Sequence, residues 1–236
     1  MAGLFSNPPP NYRATILGSA LTKRKVFFSF HYDDIMRVNV VRNAWKISHP
    51  EAESTRGFYD GSLWESKKLT GADAVKNLIR DGVQNTSAVC VLIGVQTCIR
   101  RWVRYEMARA IVDGRGLLAV HLNSIKHHQT LTAHTHGYDP LLCMGLQKVQ
   151  ESALAVPQYY LVEYNSYRDI NGTTQWRWEW YGDYTLAVKK PNWLPDGAPN
   201  IAIPFSRGAR TYDYIAGNGH SNIGAWIDTA AIAAGR

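Results

Sequence analysis

The sequence contains little cysteine and no long hydrophobic run, and both absences narrow what the protein can be. Its three cysteines are odd in number and lack the spacing of a zinc site. No apolar stretch approaches the ~20 residues that a membrane-spanning helix needs. The N-terminus lacks the basic start and the apolar segment of a secretory signal. We therefore expect a cytoplasmic protein with reduced thiols and no membrane partner.

Sequence signals for metals and resident cofactors are missing as well. No glycine-rich fingerprint follows the first predicted strand, which argues against a bound dinucleotide that acts as a hydride carrier. Four histidines, His127, His128, His134 and His136, lie close together, but in a polar loop without clear ligand geometry. We accordingly expect neither a metal site nor a cofactor.

Acidic residues are the minority among charged side chains, and the formal charge is +7 from 26 basic and 19 acidic residues. Part of this excess surrounds one predicted helix, at Arg100, Arg101, Arg104, Arg109 and Arg115. Nucleic acid or a phosphate-bearing small molecule would suit such a cluster. A solvated basic face is the simpler interpretation, and we expect no nucleic-acid partner.

Hydrophobic periodicity predicts strands that alternate with helices up to about residue 122. The predicted elements are strand Lys25–Phe30, a helix with Val38, Val41 and Trp45, a weak strand or loop at Phe58–Trp64, helix Thr70–Asp81, strand Ser87–Gly94, a helix with Trp102 and Glu106, and strand Gly116–Leu122. This order suits an α/β, flavodoxin-like parallel sheet flanked by helices. In such a sheet the first and third strands are neighbours, so the turn at His31–Asp34 should face the loop that leads to Glu106.

The pattern changes beyond about Gln147. Tyr159–Tyr167 and Thr173–Tyr181 predict aromatic strands on either side of Asn171-Gly172, a strong hairpin signal. A loop at Pro191–Pro204 and a last short helix around Ile223–Ala231 follow. We divide the chain into an N-terminal extension (1–22), a core (23–150) and a C-terminal extension packed on the core (151–236).

Three tryptophans alternate along the second strand of this hairpin, at Trp176, Trp178 and Trp180. Because strand side chains alternate between faces, all three should share one face. They could stack on a base or a sugar. The buried face of a hairpin is the interpretation that we favour.

Glu106 is the carboxylate that the predicted topology brings to the strand ends. Taken alone, it is more simply a surface ion pair with Arg101 or Arg109, which is worth ~0.3–0.5 kcal/mol on a helix. Glu65, after the weak second strand, is a competing carboxylate. Asp33 and Asp34 could accept ribose hydrogen bonds, but capping of the next helix explains at least one of them better.

Five ordered blocks of the sequence carry a family resemblance: Lys25–Asp34, Arg37–Trp45, Gly61–Glu65, Asn85–Gly94 and Arg100–Glu106. Together they resemble a TIR domain, and specifically the TIR-like ThsB family of bacterial Thoeris anti-phage defence. Fainter similarity continues through Tyr138 and Arg210–Tyr214 to Trp226, so that the resemblance spans about residues 23–228. The first 22 residues have no counterpart, and the aromatic hairpin looks longer or different.

The resemblance implies an enzyme that cleaves NAD⁺ between nicotinamide and ribose and converts the ADP-ribose part into a nucleotide signal, often cyclic. NAD⁺ would then be a consumed substrate. Glu106 matches the family's catalytic glutamate, and a single carboxylate can stabilise an oxocarbenium-like ribose. The expected substrate-binding residues are Ser29, Phe30, His31, Asp34, Arg37, Asn39 and Trp102. For Phe30 a place in the core is an equal alternative, and His31 could simply be exposed.

The resemblance also implies partners. The nucleotide product would switch on a separate effector, a phage-derived component would act as the trigger, and the active form would be a homo-oligomer. Two other functions stay open at this point. One is a TIR-like interaction module without catalysis, although such a module need not keep Glu106. The other is a different flavodoxin-like glycosyl-transfer enzyme, such as a nucleoside deoxyribosyltransferase, which the Thoeris-like blocks disfavour.

Overall fold

The computed structural model describes residues 24–48, 71–150, 152 and 155–236. Its strands are β1 (Val26–Ser29), β2 (Ala88–Ile93), β3 (Gly116–His121), β4 (Met144–Val149), β5 (Gln158–Arg168), β6 (Thr174–Trp180), β7 (Ala202–Pro204) and β8 (Arg210–Asp213). Its helices are α1 (Ile35–Ser48), α2 (Ala72–Gln84), α3 (Arg101–Val112) and α4 (Gly219–Ala233). The predicted weak strand at Phe58–Trp64 and the N-terminal extension lie outside the described residues.

A parallel sheet with the order β1-β2-β3-β8 forms the centre of the fold. Every residue of β1, β2 and β3 is buried, because helices cover both faces of the sheet. One face packs on α2 and α3, and the other packs on α1 and α4. The predicted α/β, flavodoxin-like class is confirmed, and so is the adjacency of the first strand and the strand that precedes Glu106.

A second, antiparallel sheet has the order β6-β5-β4-β7. Its apolar residues Leu146, Leu161 and Phe205 belong to the same buried cluster as Val103 and Met107 of α3. Helix α3 therefore lies between the two sheets, with apolar side chains that contact both. This position explains why α3 is buried along much of its length.

The predicted hairpin is present, and β5 pairs with β6 around the turn at Gly172, whose φ is +78°. The prediction that its tryptophan stripe is buried is wrong. Trp176 and Trp180 are 54% and 55% exposed. They pack instead on cross-strand tyrosine rings, with ring centroids 5.5 Å apart for Tyr164–Trp176 and 5.7 Å for Tyr160–Trp180. The aromatic residues therefore cover one another on an outer face of the second sheet.

The two sheets interleave along the chain. Strand β4 precedes residue 150 yet lies in the second sheet. Near the end of the chain, β8 completes the first sheet and α4 packs on one of its faces. The division at residue 150 stays a prediction about domains. Among the described residues, no helix is both long and apolar enough to cross a membrane.

Candidate active site

The carboxyl ends of β1 and β2 meet at one edge of the parallel sheet. Ser29 is the last residue of β1 and is in register with Val91 of β2. The chain leaves β2 through Gly94 and a short turn at Thr97–Ile99, and then enters α3. This arrangement brings the first turn of α3 to the same edge as the end of β1, where α/β sheets form ligand sites.

Glu106 lies one turn into α3 and points at the end of β1. The Ser29 hydroxyl donates a hydrogen bond to Oε2 of Glu106 across 77 residues of sequence. Glu106 is 4% exposed and Ser29 is fully buried. Burial raises the pKa of Glu106 to about 8, although the hydrogen bond from Ser29 acts in the opposite direction. The site thus holds a carboxyl group that is uncharged at neutral pH and whose ionised form a cation would stabilise.

The alternative of a surface ion pair for Glu106 is wrong, because both arginines have other partners. Arg101 donates two hydrogen bonds to Asp183, with nitrogen–oxygen distances of 2.8 and 2.6 Å. Arg109 pairs with Asp113, one turn further along the chain, at 2.5 Å. The competing carboxylate Glu65 lies outside the described residues.

Asp34 is a second buried acidic residue at this edge of the parallel sheet. Its carboxylate packs against the backbone of Gly94, where a Cβ would overlap all of the carboxylate atoms. Its Oδ1 lies 3.8 Å from Nε2 of His134. Burial raises the pKa of Asp34, while the nearby His134, His31 and Arg37 lower it. The Asp34 carboxylate thus lies against the end of β2 and faces basic side chains.

The other predicted substrate-binding residues that follow β1 differ in their contacts. Nε of Arg37 donates to the Ile125 carbonyl at 2.9 Å, so Arg37 holds the loop that follows β3. His31 lies 3.5 Å from the exposed carboxylate of Asp33. Phe30 packs against the core cluster that includes α1, which favours the packing alternative over ring stacking with a substrate.

Two further candidates lie on helices. Trp102 is half-buried one turn before Glu106, with its ring edge-to-face against Tyr105 and the Arg101 guanidinium 4.9 Å from its centre. Because residues four apart share a helix face, Trp102 is on the Glu106 side of α3. Asn39 is on the exposed side of α1.

Sequence reasoning missed Gly94, Thr97 and His134 as parts of this edge. Thr97 accepts a hydrogen bond from the Gly94 amide at 2.8 Å and fixes the turn before α3. The glycine directly after a buried strand was the available signal for a close approach. His134 carried no comparable signal, because its loop is polar and long.

Other features of the described residues either do not involve these groups or lack a ligand geometry. A small cavity of about 60 Å³ lies between α4 and the β3–β8 edge, near Tyr212 and Trp226, and is lined by none of the candidate residues. No three histidine, cysteine or acidic side chains gather into a metal-binding group in the described part of the chain. His136 instead stacks on His121 with ring centroids 3.7 Å apart.

Comparisons with known proteins identify the family of this chain. A family model described as the TIR-like domain of the Thoeris protein ThsB matches residues 27–127, which include most of β1 and all of β2, α3 and β3. A Bacillus cereus (strain MSX-D12) protein is 36% identical over 210 residues, which cover 87% of this chain and 99% of that protein. Its name is "Putative cyclic ADP-D-ribose synthase ThsB1".

Proposed function

Since this chain belongs to the TIR-like ThsB family of Thoeris proteins, we propose that it cleaves NAD⁺ and makes a cyclic ADP-ribose-type nucleotide signal in anti-phage defence. The observation that carries the proposal is the buried Glu106 carboxyl group, held by Ser29 where the carboxyl ends of β1 and β2 meet. The name of the Bacillus relative supports the same product class.

The chemistry needs little from the protein besides one carboxylate. Nicotinamide leaves a cationic glycoside as a neutral molecule, so no general acid has to protonate it. The ribose that remains carries oxocarbenium character, which a carboxylate on its face stabilises. Attack on the anomeric carbon by an adenine nitrogen or a hydroxyl of the same molecule gives a cyclic product, nicotinamide and one proton. Attack by water would give linear ADP-ribose instead.

Because the pKa of Glu106 is raised, the positive charge of the substrate would influence whether this carboxyl group is ionised. In the free protein the carboxyl group is protonated at neutral pH, because its pKa is about 8. The positive nicotinamide ring of NAD⁺ would lower that pKa and favour release of the proton. Ser29 is the positioning residue, since its hydroxyl donates to one oxygen and leaves the other for the ribose. Asp34, His31, Arg37, Asn39 and Trp102 are the proposed substrate contacts around this pair.

The same burial supports a resting state that needs activation. With Glu106 only 4% exposed, NAD⁺ reaches it only after segments around the strand ends move apart. We assign that opening to a phage-derived trigger and to assembly of a homo-oligomer, and we assign the product to a separate effector. The protein would act in the cytoplasm, with NAD⁺ as substrate and without a cofactor.

The test follows NAD⁺ and its products in phage-challenged cells and with purified protein plus lysate of such cells. Wild-type protein should release nicotinamide and form a product of the mass of cyclic ADP-ribose. Glu106→Gln should lose activity by about 10²–10³-fold, as loss of a key electrostatic group does. Ser29→Ala should retain more activity and reach its maximum at higher pH. Glu179→Gln, which changes a partly exposed carboxylate on β6, should match the wild type.

Equal activity of Glu106→Gln and wild type would refute the site. Intact NAD⁺ in challenged cells that contain wild-type protein would favour the non-catalytic module. If the protein leaves NAD⁺ intact but transfers the sugar of an added deoxynucleoside to a free base, with release of the original base, the deoxyribosyltransferase alternative is favoured.

A further inference from the structure

Two of the three cysteines face each other beside the turn that leads into α3. The Sγ atoms of Cys98 and Cys143 lie 2.8 Å apart, and neither thiol is in a disulfide. The third cysteine, Cys90, is buried in the middle of β2, on the sheet face that α1 and α4 cover. The chain therefore contains one close pair of thiols and one isolated thiol that serves as an internal reference.

The backbone holds both members of the pair in place. Cys98 is in the short turn Thr97–Ile99, which the Thr97 hydroxyl ties to the end of β2. The Cys143 amide donates to the Pro140 carbonyl at 3.0 Å, and its carbonyl accepts from the Tyr164 amide at 2.8 Å. The two thiols thus approach each other from different sheets, and each is fixed by hydrogen bonds that do not involve sulfur.

The charge around the pair favours the thiolate of Cys98. The hydrogen bond with the Cys143 thiol lowers the pKa of Cys98, and the positive charge of Arg104 acts in the same direction, while burial opposes both. For Cys143, the same hydrogen bond and burial raise the pKa. Cys98 is also the more accessible of the two, at 7% exposure against 2%. A thiolate next to a resolving thiol is the arrangement of redox-responsive cysteines.

We propose that Cys98 and Cys143 are a redox modification site that a peroxide converts into a reversible disulfide. The Cys98 thiolate attacks hydrogen peroxide and becomes a sulfenic acid, with loss of hydroxide. The Cys143 sulfur then attacks the sulfenic sulfur and expels its oxygen as water. Two thiols and one peroxide give one disulfide and two waters, so that two electrons pass from sulfur to oxygen.

The disulfide would tie the turn in front of α3 to the start of β4. It would close a loop across the 45-residue separation of the two cysteines. Such a cross-link lowers the conformational entropy of the unfolded chain more than that of the folded chain, and so stabilises the fold. Because the pair is independent of Glu106, this chemistry holds whether or not the chain cleaves NAD⁺.

The experiment exposes reduced full-length protein to hydrogen peroxide and counts free thiols in denaturant. The count should fall from three to one, with a mass loss of about 2 Da and a cross-linked peptide that contains Cys98 and Cys143. The unfolding midpoint should rise by about 5 °C or more. Dithiothreitol should reverse all three changes.

Single variants separate a disulfide from general oxidation. In Cys90→Ala the two remaining thiols should both be lost to the disulfide, as in the wild type. Cys143→Ser has no resolving thiol and should gain about 16 or 32 Da through oxygen addition. If three thiols survive peroxide that oxidises glutathione in the same tube, or if wild-type Cys98 gains oxygen without a cross-linked peptide, the proposal is wrong.

Discussion

Burial of Glu106 makes a prediction about stability that needs no substrate. The pKa of Glu106 is about 8 in the folded protein, against an ordinary value of 4.5. Between these values the folded protein binds more protons than the unfolded chain does. Stability due to this group is therefore fully present below about pH 4.5 and is lost as the pH rises through about 8.

The size of the loss follows from the two pKa values. Each unit of difference corresponds to about 1.36 kcal/mol, so Glu106 should lower the free energy of unfolding by about 2.5 kcal/mol from pH 5 to pH 7. By pH 8 the loss should reach about 3.5 kcal/mol. Replacing Glu106 by glutamine removes the titration and keeps an oxygen that can accept from Ser29.

Urea unfolding of wild type and Glu106→Gln at several pH values between 5 and 8 measures this directly. Other groups titrate in both proteins, so the difference between their free energies of unfolding isolates Glu106. That difference should shift in favour of Glu106→Gln by about 3.5 kcal/mol from pH 5 to pH 8. The matched control is Glu179→Gln, whose carboxylate has a pKa lowered by Arg177 and so does not titrate there.

Ser29→Ala provides a second test of the same reasoning. The Ser29 hydroxyl lowers the pKa of Glu106, so its removal should raise that pKa and extend the loss of stability to higher pH. Parallel pH profiles for wild type and Glu106→Gln, within about 1 kcal/mol, would mean that Glu106 is solvated or paired with a cation, and would refute the reasoning.

Two further predictions test the packing around the site and the hairpin. Gly94→Ala should destabilise the fold by about 1–3 kcal/mol, because the new methyl group overlaps the Asp34 carboxylate. Urea unfolding should show a smaller loss of stability when Gly94→Ala is made in an Asp34→Ala background. Equal losses of stability in the two backgrounds would contradict the contact. Trp176→Ala should change the free energy of unfolding by about 1 kcal/mol or less, because the ring is half exposed. Trp45→Ala, in the core, should lower it by about 3–5 kcal/mol. Similar losses of stability for the two variants would argue against the exposed hairpin face.

The parts of the fold that could be predicted are those where burial on both sides leaves a plain signal. The runs Val26–Ser29, Ala88–Ile93 and Gly116–His121 are apolar along most of their length, because helices cover both faces of their sheet. The hairpin turn was also predictable, since Asn171-Gly172 supplies the positive φ that a tight turn requires.

The missed elements are those whose stability comes from neighbours that are distant in sequence. Strand β8, Arg210–Asp213, is polar and partly exposed, and it is a strand because its backbone pairs with the edge of β3. Strand β4 has no clean alternation, because only its first half faces the core. The alternation of the tryptophans in β6 predicts that they share one face. The periodicity alone does not say which face of a sheet meets the core.

The candidate site also has one property that the sequence predicts, the position of Glu106, and one that it does not predict, the charge state of Glu106. Topology predicts that Glu106 meets the end of β1, because parallel strands and the helix between them fix which loops adjoin. Its charge state has a different origin. The nearest arginines in sequence are bound by other carboxylates: Arg104 by Glu163, Arg109 by Asp113 and Arg101 by Asp183. Within the part of the chain that the structure describes, the hydroxyl of Ser29 is the hydrogen-bond partner of the buried carboxyl group. The pKa of Glu106 is therefore set by contacts that no local pattern encodes. Among residues 24–48, 71–150, 152 and 155–236 no cation pairs with Glu106, because the neighbouring arginines are bound elsewhere. Such a carboxyl group is suited to a cationic substrate.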